Sequence, residues 1–447
     1  MALAALLCAL PAAELAGLRA AVVGAGPSGL LLAHRLLLAG ASVHLLEERA
    51  SVAGVAGRAY ALGLGLRGRT ALRSVDESLW RAVAAAGFAS DRFTLHLPWG
   101  PLALRSPSAA AEPSVLVYQS ELCAALLHAL HAAHDASGRL QVEFGARVAS
   151  VDARAGLLTR EGRREPAAFD LIAGCDGVRS AVRASIGAQC AAFEAEVRTL
   201  PGRLKVVRLP AMPPPLAADA VHLLPGRAGL AAFVEPTASG ACVLFSWRGE
   251  GAEPDPAAIT EPDAARAFLA AAFPLIAASL DRRDVGEQFV SQRPSAAQTV
   301  RCNTYHFGRA VLVGDAAHST GGASGQGCNS ALQDAAALAD LLVASGGEVA
   351  AALERYSYER LPEGHALLDL SVGPPQGAGP LRRLVFGLSA VTETVRFSLG
   401  VGDPPLQTQL TTSLTPFAEI RRKRDAAFGA FPTDEEFKAM VRRAIGA

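Results

Sequence analysis

Three short constellations in this 447-residue chain combine an acidic side chain with a glycine-bearing turn and an apolar run. In the first, Gly314–Asp315–Ala316–Ala317–His318 follows the strand-like run Ala310–Val313 and leads to Gly325–Gln326–Gly327–Cys328–Asn329. An apolar strand, an Asp at its exit and a glycine-rich turn into a helix bring backbone N–H groups to an anionic ligand. The helix is expected to begin near Asn329 and to run through Ala331–Leu342, with Asp334 in its first turns. In the second, Ala20–Val23 precedes Gly24–Ala25–Gly26–Pro27–Ser28–Gly29 and then Leu30–Leu38. That order suits strand, phosphate turn and helix in a dinucleotide fold. Gly24 makes the tight turn, Gly26 lets the backbone approach a pyrophosphate, and Gly29 allows close helix packing. A second strand, Ser42–Leu46, ends in Glu47, 23 residues after Gly24, where an acid accepts hydrogen bonds from ribose hydroxyls. In the third, the buried-strand pattern Asp170–Cys175 runs into Asp176–Gly177–Val178–Arg179–Ser180 and Arg183.

In this order the three stretches resemble the flavin-binding motifs of the aromatic-hydroxylase class of FAD-dependent monooxygenases. Gly57–Leu62, Arg67–Leu72, Asp170–Arg183, Phe307–His318 with Arg301–Cys302, and His365–Ala366 with Asp369–Ser371 narrow the resemblance. They are similar to the kynurenine 3-monooxygenase family. The resemblance implies FAD bound by Gly24, Gly26, Ser28, Gly29, Glu47, Arg49, Gln119, Val148, Asp176, Asp315, Gly325, Gly327, Cys328 and Asn329. Asp176 would fix its turn at the pyrophosphate, with Ser180 and Arg183 anchoring the helix behind, and Asp315 would contact the ribityl chain. It further implies NAD(P)H as electron donor, O₂ as co-substrate and a flavin C4a-hydroperoxide that hydroxylates a small aromatic substrate. The flavin carries that chemistry, so no catalytic side chain is assigned.

The departures from the family pattern concern the substrate side. Gly322 stands where the family has a Pro whose carbonyl faces the reacting ring, which predicts a looser, wetter loop that Gly322→Pro would improve if the local φ suits proline. Arg92 lies one residue out of register with the family's carboxylate-binding Arg, and on a strand that turns it to the other face. No Tyr occurs near 104, the segment that would carry an Asn is shortened to Gly373–Pro380, and Gln407 replaces a later Tyr. Arg92 and Gln407 remain as substrate candidates. Two rival readings stay open: a flavin reductase or dehydrogenase of the same fold, and a flavoprotein that has lost its substrate site.

The expected fold class is α/β: a Rossmann-like FAD-binding domain with an inserted antiparallel-sheet substrate domain and a helical C-terminal region. Residues 1–18 read as an apolar extension or leader, 19–194 and 301–345 as the two parts of the FAD-binding domain, 195–300 as the insert, and 346–447 as helical. The insert is expected from Leu204–Leu209, Val221–Leu224, Leu230–Val234 and Cys242–Trp247, apolar or alternating runs between Pro/Gly turns. Hydrophobic content of 51% suits a large buried core, and a net charge of zero argues against a nucleic-acid partner. Seven scattered Cys fit reduced intracellular thiols. His128, His131 and His134 share a helix face without Cys or carboxylate support, so no metal is expected. No run of 18 apolar residues is present, and the pattern is that of a soluble intracellular protein.

Overall fold

The computed structural model describes residues 14–52, 60–107, 111–227, 229–248, 255–322, 324–374, 392–393 and 402–446. Most of the expected leader, the Gly57–Ala59 part of one family-like segment, and 375–380 of the shortened segment therefore lie outside the described residues.

The first sheet has strand order His306–Phe307, Ala310–Leu312, Leu171–Gly174, Arg19–Val23, Ser42–Glu47, Leu140–Phe144. All neighbours are parallel except the short His306–Phe307 edge. Parallel strands buried on both faces require near-continuous apolar runs, and the central strands supply them: Ala21, Val22, Leu171, Ile172 and Val311 are fully buried. The helices Pro27–Leu38 and Gly327–Ala344 pack against one another over this sheet. Because the strands run the same way, Gly24, Glu47, Cys175 and Val313 all emerge at one edge, the carboxyl end where open α/β sheets bind ligands.

The second sheet has order Gly202–Leu209, Gly240–Arg248, Ala231–Thr237, Ala220–Pro225, Arg92–Leu97, Gly100–Arg105. Its first four strands match the expected insert. The last two come from far upstream, and Arg92–Leu97 pairs parallel to Ala220–Pro225, so the sheet is mixed and draws strands from outside 195–300. Strand alternation splits its faces. Val207, Val234, Val243, Phe245 and Trp247 form a core with Leu269, Val285 and Phe289 of the helices Pro262–Ala272 and Arg283–Ser291. The opposite face meets a small sheet through Val206 and Cys242, which pack on Ala61 and Tyr118. Ala195–Thr199 and Gln298–Cys302 pair antiparallel, so the chain enters and leaves the insert along one two-stranded ribbon.

The expected strand Gln141–Val151 is two strands in different sheets, Leu140–Phe144 and Val148–Asp152, separated at Gly145. Among the described residues no single helix is long and apolar enough to cross a membrane. Pro262–Ala272 and Pro274–Leu280 reach that composition only as a pair bent by 113°.

Candidate active site

The phosphate turn is built for close approach. A Cβ on Gly29 would lie 2.0 Å from the Gly24 carbonyl oxygen, so only glycine lets the helix Pro27–Leu38 start here. Gly26 caps that helix with backbone alone, and nothing stands within 4 Å of where its Cβ would be. Ser28 is buried close to Gly314, between strand ends. The helix Gly327–Ala344 starts two residues earlier than expected and likewise lacks a side-chain cap. Two helix N-termini thus offer first-turn N–H groups at the same sheet edge.

Glu47 is already engaged by protein. Its Oε2 accepts from Ala25 N at 2.8 Å, and its Oε1 accepts from Arg49 N at 2.9 Å and Arg49 Nε at 2.7 Å. Burial would raise this carboxyl, but the bonds from Arg49 and Ala25 outweigh it and hold it below the usual range. Asp176 Oδ2 accepts from Ala181 N at 2.7 Å and Val182 N at 3.2 Å, capping the next helix together with Ser180, while its Oδ1 is buried without a partner. Arg183 donates to the Ala316 carbonyl at 2.8 Å, tying that helix to the Asp315 corner. Gln119 opens the helix Gln119–His134, and Val148 is buried at the start of its strand.

Asp315, Cys328 and Tyr60 share an unusual setting. Solvent reaches each of them, Tyr60 being 42% exposed, yet protein surrounds them closely enough that burial raises all three pKa values, Tyr60 to about 12. Nothing stands within 4 Å of where a Cβ would lie on Gly26, Gly177 or Gly325, so open space borders the strand ends as a cleft. Asp315 Oδ1 lies 3.9 Å from where a Cβ on Gly327 would stand, at the N-terminus of Gly327–Ala344, and Tyr60 precedes Ala61, which packs with Tyr118, Val206 and Cys242.

Other expected residues serve the scaffold. Asn329 is fully buried; its Oδ1 accepts from Gly65 N at 2.9 Å and Gly68 N at 3.2 Å, and its Nδ2 donates to Gly63 O at 2.8 Å. Only its backbone is left for a ligand. Behind Asp315, Asp334 accepts from His318 Nε2 at 2.5 Å, Arg360 Nε at 2.7 Å and Gly314 N at 3.2 Å. Burial opposes ionisation there, but His318 and Arg360 win and hold Asp334 at about 2. The segments His365–Asp369 and Arg301–Cys302, distant in sequence, meet: Arg301 pairs with Asp369, and His365 bonds the Cys302 carbonyl at 2.8 Å.

The two substrate candidates fall elsewhere. Arg92 shares its strand face with Thr94, away from the face of Phe93 and Leu95, and pairs with Asp219 at 3.3 Å with its side chain 49% exposed. Its side chain is thus engaged by Asp219 on the face away from Phe93 and Leu95. Gln407 donates to the Ser324 carbonyl at 3.4 Å and so braces the loop from outside. Gly322 has φ +82 beside Gly321 at +68, and its carbonyl accepts from Gly325 N at 3.1 Å. The loop is a glycine-specific turn, which removes the basis for a favourable Gly322→Pro exchange. The expected strand Leu230–Val234 is observed as Ala231–Thr237, taking in Glu235 and Pro236.

The residues fit a dinucleotide cofactor. Besides the two uncapped helices, Asp176 Oδ1, Thr320 Oγ1 and Gln326 Oε1 are buried without partners around the strand ends, acceptors and donors in want of a ligand.

Comparison with known proteins agrees. The FAD binding domain family matches residues 18–371. A kynurenine 3-monooxygenase of Salinispora arenicola is 30% identical over 365 residues, 79% of this chain and 78% of that protein. A 3-(3-hydroxy-phenyl)propionate/3-hydroxycinnamic acid hydroxylase of Klebsiella pneumoniae is 27% identical, covering 81% of this chain and 63% of its own. The tetrameric form of 2-methyl-3-hydroxypyridine-5-carboxylic acid oxygenase shares the fold with a TM-score of 0.68 at 19% identity, over 93% of this chain and 99% of that one.

Proposed function

The chain belongs to the FAD-dependent monooxygenases built on the FAD binding domain, and on that premise we propose that it hydroxylates a small aromatic substrate using NAD(P)H and O₂. The observation that supports this reading is the shared strand-end edge where the Gly24–Gly29 turn, Glu47, Asp176, Asp315 and the N-terminus of Gly327–Ala344 come together. When bound, FAD supplies the redox chemistry, accepting electrons from NAD(P)H and activating O₂ for transfer of one oxygen atom.

The chain supplies binding, orientation and dryness. The turn at Gly24–Gly26 and the first turn of Pro27–Leu38 would take the pyrophosphate, near Asp176, and Glu47 would take the adenosine ribose. Arg49, Gln119 and Val148 would flank the adenosine half. Asp315 would accept from ribityl hydroxyls, and the N–H groups of Gly327, Cys328 and Asn329, beside Gly325, would face the electron-rich edge of the isoalloxazine. Phe233 and Leu244, paired across the second sheet, would cover the reacting side and exclude water. Residues 19–194 without 92–105, together with 301–345, would then form the cofactor part, and 92–105 with 195–300 the substrate part.

The test is turnover of FAD-loaded protein with NAD(P)H and ¹⁸O₂ over a panel of small arenes. One ¹⁸O atom in a ring product is expected. NAD(P)H oxidation with no ¹⁸O in any arene would favour the reductase reading instead.

A further inference from the structure

The acid that would meet the ribityl chain sits on a helix of four residues, Asp315–His318. One turn does not hold itself, because nucleating a helix costs more than its first bonds return. Asp315 makes no hydrogen bond among the described residues, so the backbone of the turn alone sets its place. Both internal bonds, from Ala317 N at 2.8 Å and His318 N at 3.0 Å, end on the Gly314 carbonyl. Asp334, on the helix Gly327–Ala344, closes the turn from behind. Its Oδ2 accepts from Gly314 N at 3.2 Å and from His318 Nε2 at 2.5 Å, so a single atom pins both ends. The other oxygen takes Arg360 Nε at 2.7 Å. His318 is 3% exposed and closely packed: a Cβ on Gly364 would stand 2.8 Å from its Cβ and Cγ, and the Tyr305 ring lies 5.6 Å from its own.

We propose that His318 is a positioning residue for the cofactor, acting through Asp315: its bond to Asp334 fixes the turn, and the turn aims the Asp315 carboxylate at the ribityl hydroxyls. The inference rests on the FAD reading above, and it needs no contact between His318 and the ligand. Asp334, held at about 2, is ionised and can only accept, so Nε2 carries the proton of this bond. Burial alone would lower the imidazole, but Asp334 raises it above its ordinary value, and Asp315 adds to that. The adenosine half of the ligand would be held at other strand ends, by the Gly24–Gly29 turn and Glu47. His318 should therefore govern one half of the cofactor and not the other.

The test titrates flavin-stripped protein, by calorimetry, with FAD and separately with ADP, which has the adenosine and pyrophosphate but no ribityl chain. His318→Phe fills the space of the ring without a donor. It should raise the FAD dissociation constant about tenfold, the scale of one hydrogen bond, and leave that of ADP within about twofold. His318→Gln should bring FAD back to within about threefold of the native constant, because its amide nitrogen falls near the place of Nε2 and still donates. His318→Asn, whose amide is too short to reach Asp334, should match His318→Phe and replaces it if the phenylalanine variant does not bind ADP. Unchanged FAD affinity in the Phe and Asn variants, equal weakening of FAD and ADP in both, or no recovery with Gln would overturn the inference and leave the cofactor reading standing. A native protein that does not take up FAD would overturn both.

Discussion

Asp315 is an acid whose neighbours do not need it. It makes no hydrogen bond or ion pair among the described residues and is open to the cleft, whereas Asp334 and Glu47 are embedded in bonds to protein. Asp315→Ala should therefore lose FAD while the apo-protein keeps its denaturant midpoint; the 450 nm to 280 nm absorbance ratio and a urea titration check both. Glu47 has two tasks, so its variants should divide. Glu47→Gln still accepts from Ala25 N and should retain most flavin, but Glu47→Ala leaves that N–H unpaired and should cost about 1–3 kcal/mol of stability as well. Asp334→Asn breaks a fully buried pair and should destabilise by about 3–5 kcal/mol. The sign of its pH dependence follows. Asp334 is depressed to about 2 in the folded state, so its contribution is present above the unfolded value of about 3.9 and fades as pH falls towards 2. Acid unfolding between those limits should flatten in the Asn variant. These roles divide along a line that sequence could not draw: glycine spacing located Asp315 and Glu47, but only coordinates reveal that Asn329 spends its side chain on Gly63, Gly65 and Gly68.

At the scale of elements, periodicity was a good guide where strands are buried on both faces and a poor one elsewhere. Arg19–Val23, Ser42–Glu47 and Ala310–Leu312 are short apolar runs between punctuating residues and were legible. Arg92–Leu97 and Gly100–Arg105 are only half-covered at the rim of a sheet, with Trp99 82% exposed at their turn, and their mixed composition hides them. The loop at Gly322 is the clearest reversal. Reading a Pro-to-Gly exchange as lost stiffness assumed an unchanged backbone, but φ +82 lies where proline cannot go. Gly322→Pro should break the Gly322–Gly325 turn, lower the product formed per NAD(P)H and raise peroxide release; an oxygen-electrode assay with catalase measures this. A variant as well coupled as the native protein would show that the turn can refold around proline.

At the scale of the molecule, the cleft is assembled from chain segments near residues 24, 47, 176, 315 and 328, so one ligand would cross-link much of the sequence. FAD should raise the unfolding temperature by mass action, equivalent to about 2.7 kcal/mol at a free concentration 100-fold above its dissociation constant. Differential scanning with and without added FAD tests this, and Asp315→Ala should abolish the upshift at the same concentration. The ribbon of Ala195–Thr199 and Gln298–Cys302 places both ends of the insert side by side, a layout that invites exchange of whole pockets between relatives by a single recombination. The upstream pair of strands forbids so simple a swap. A foreign insert would offer Arg92–Leu97 a strand other than Ala220–Pro225 and leave Arg92 without Asp219. Transplanting specificity into this scaffold therefore takes two coordinated splices, one near 92–105 and one within the ribbon. Lineages that changed substrate by shuffling would be expected to carry matched changes in both.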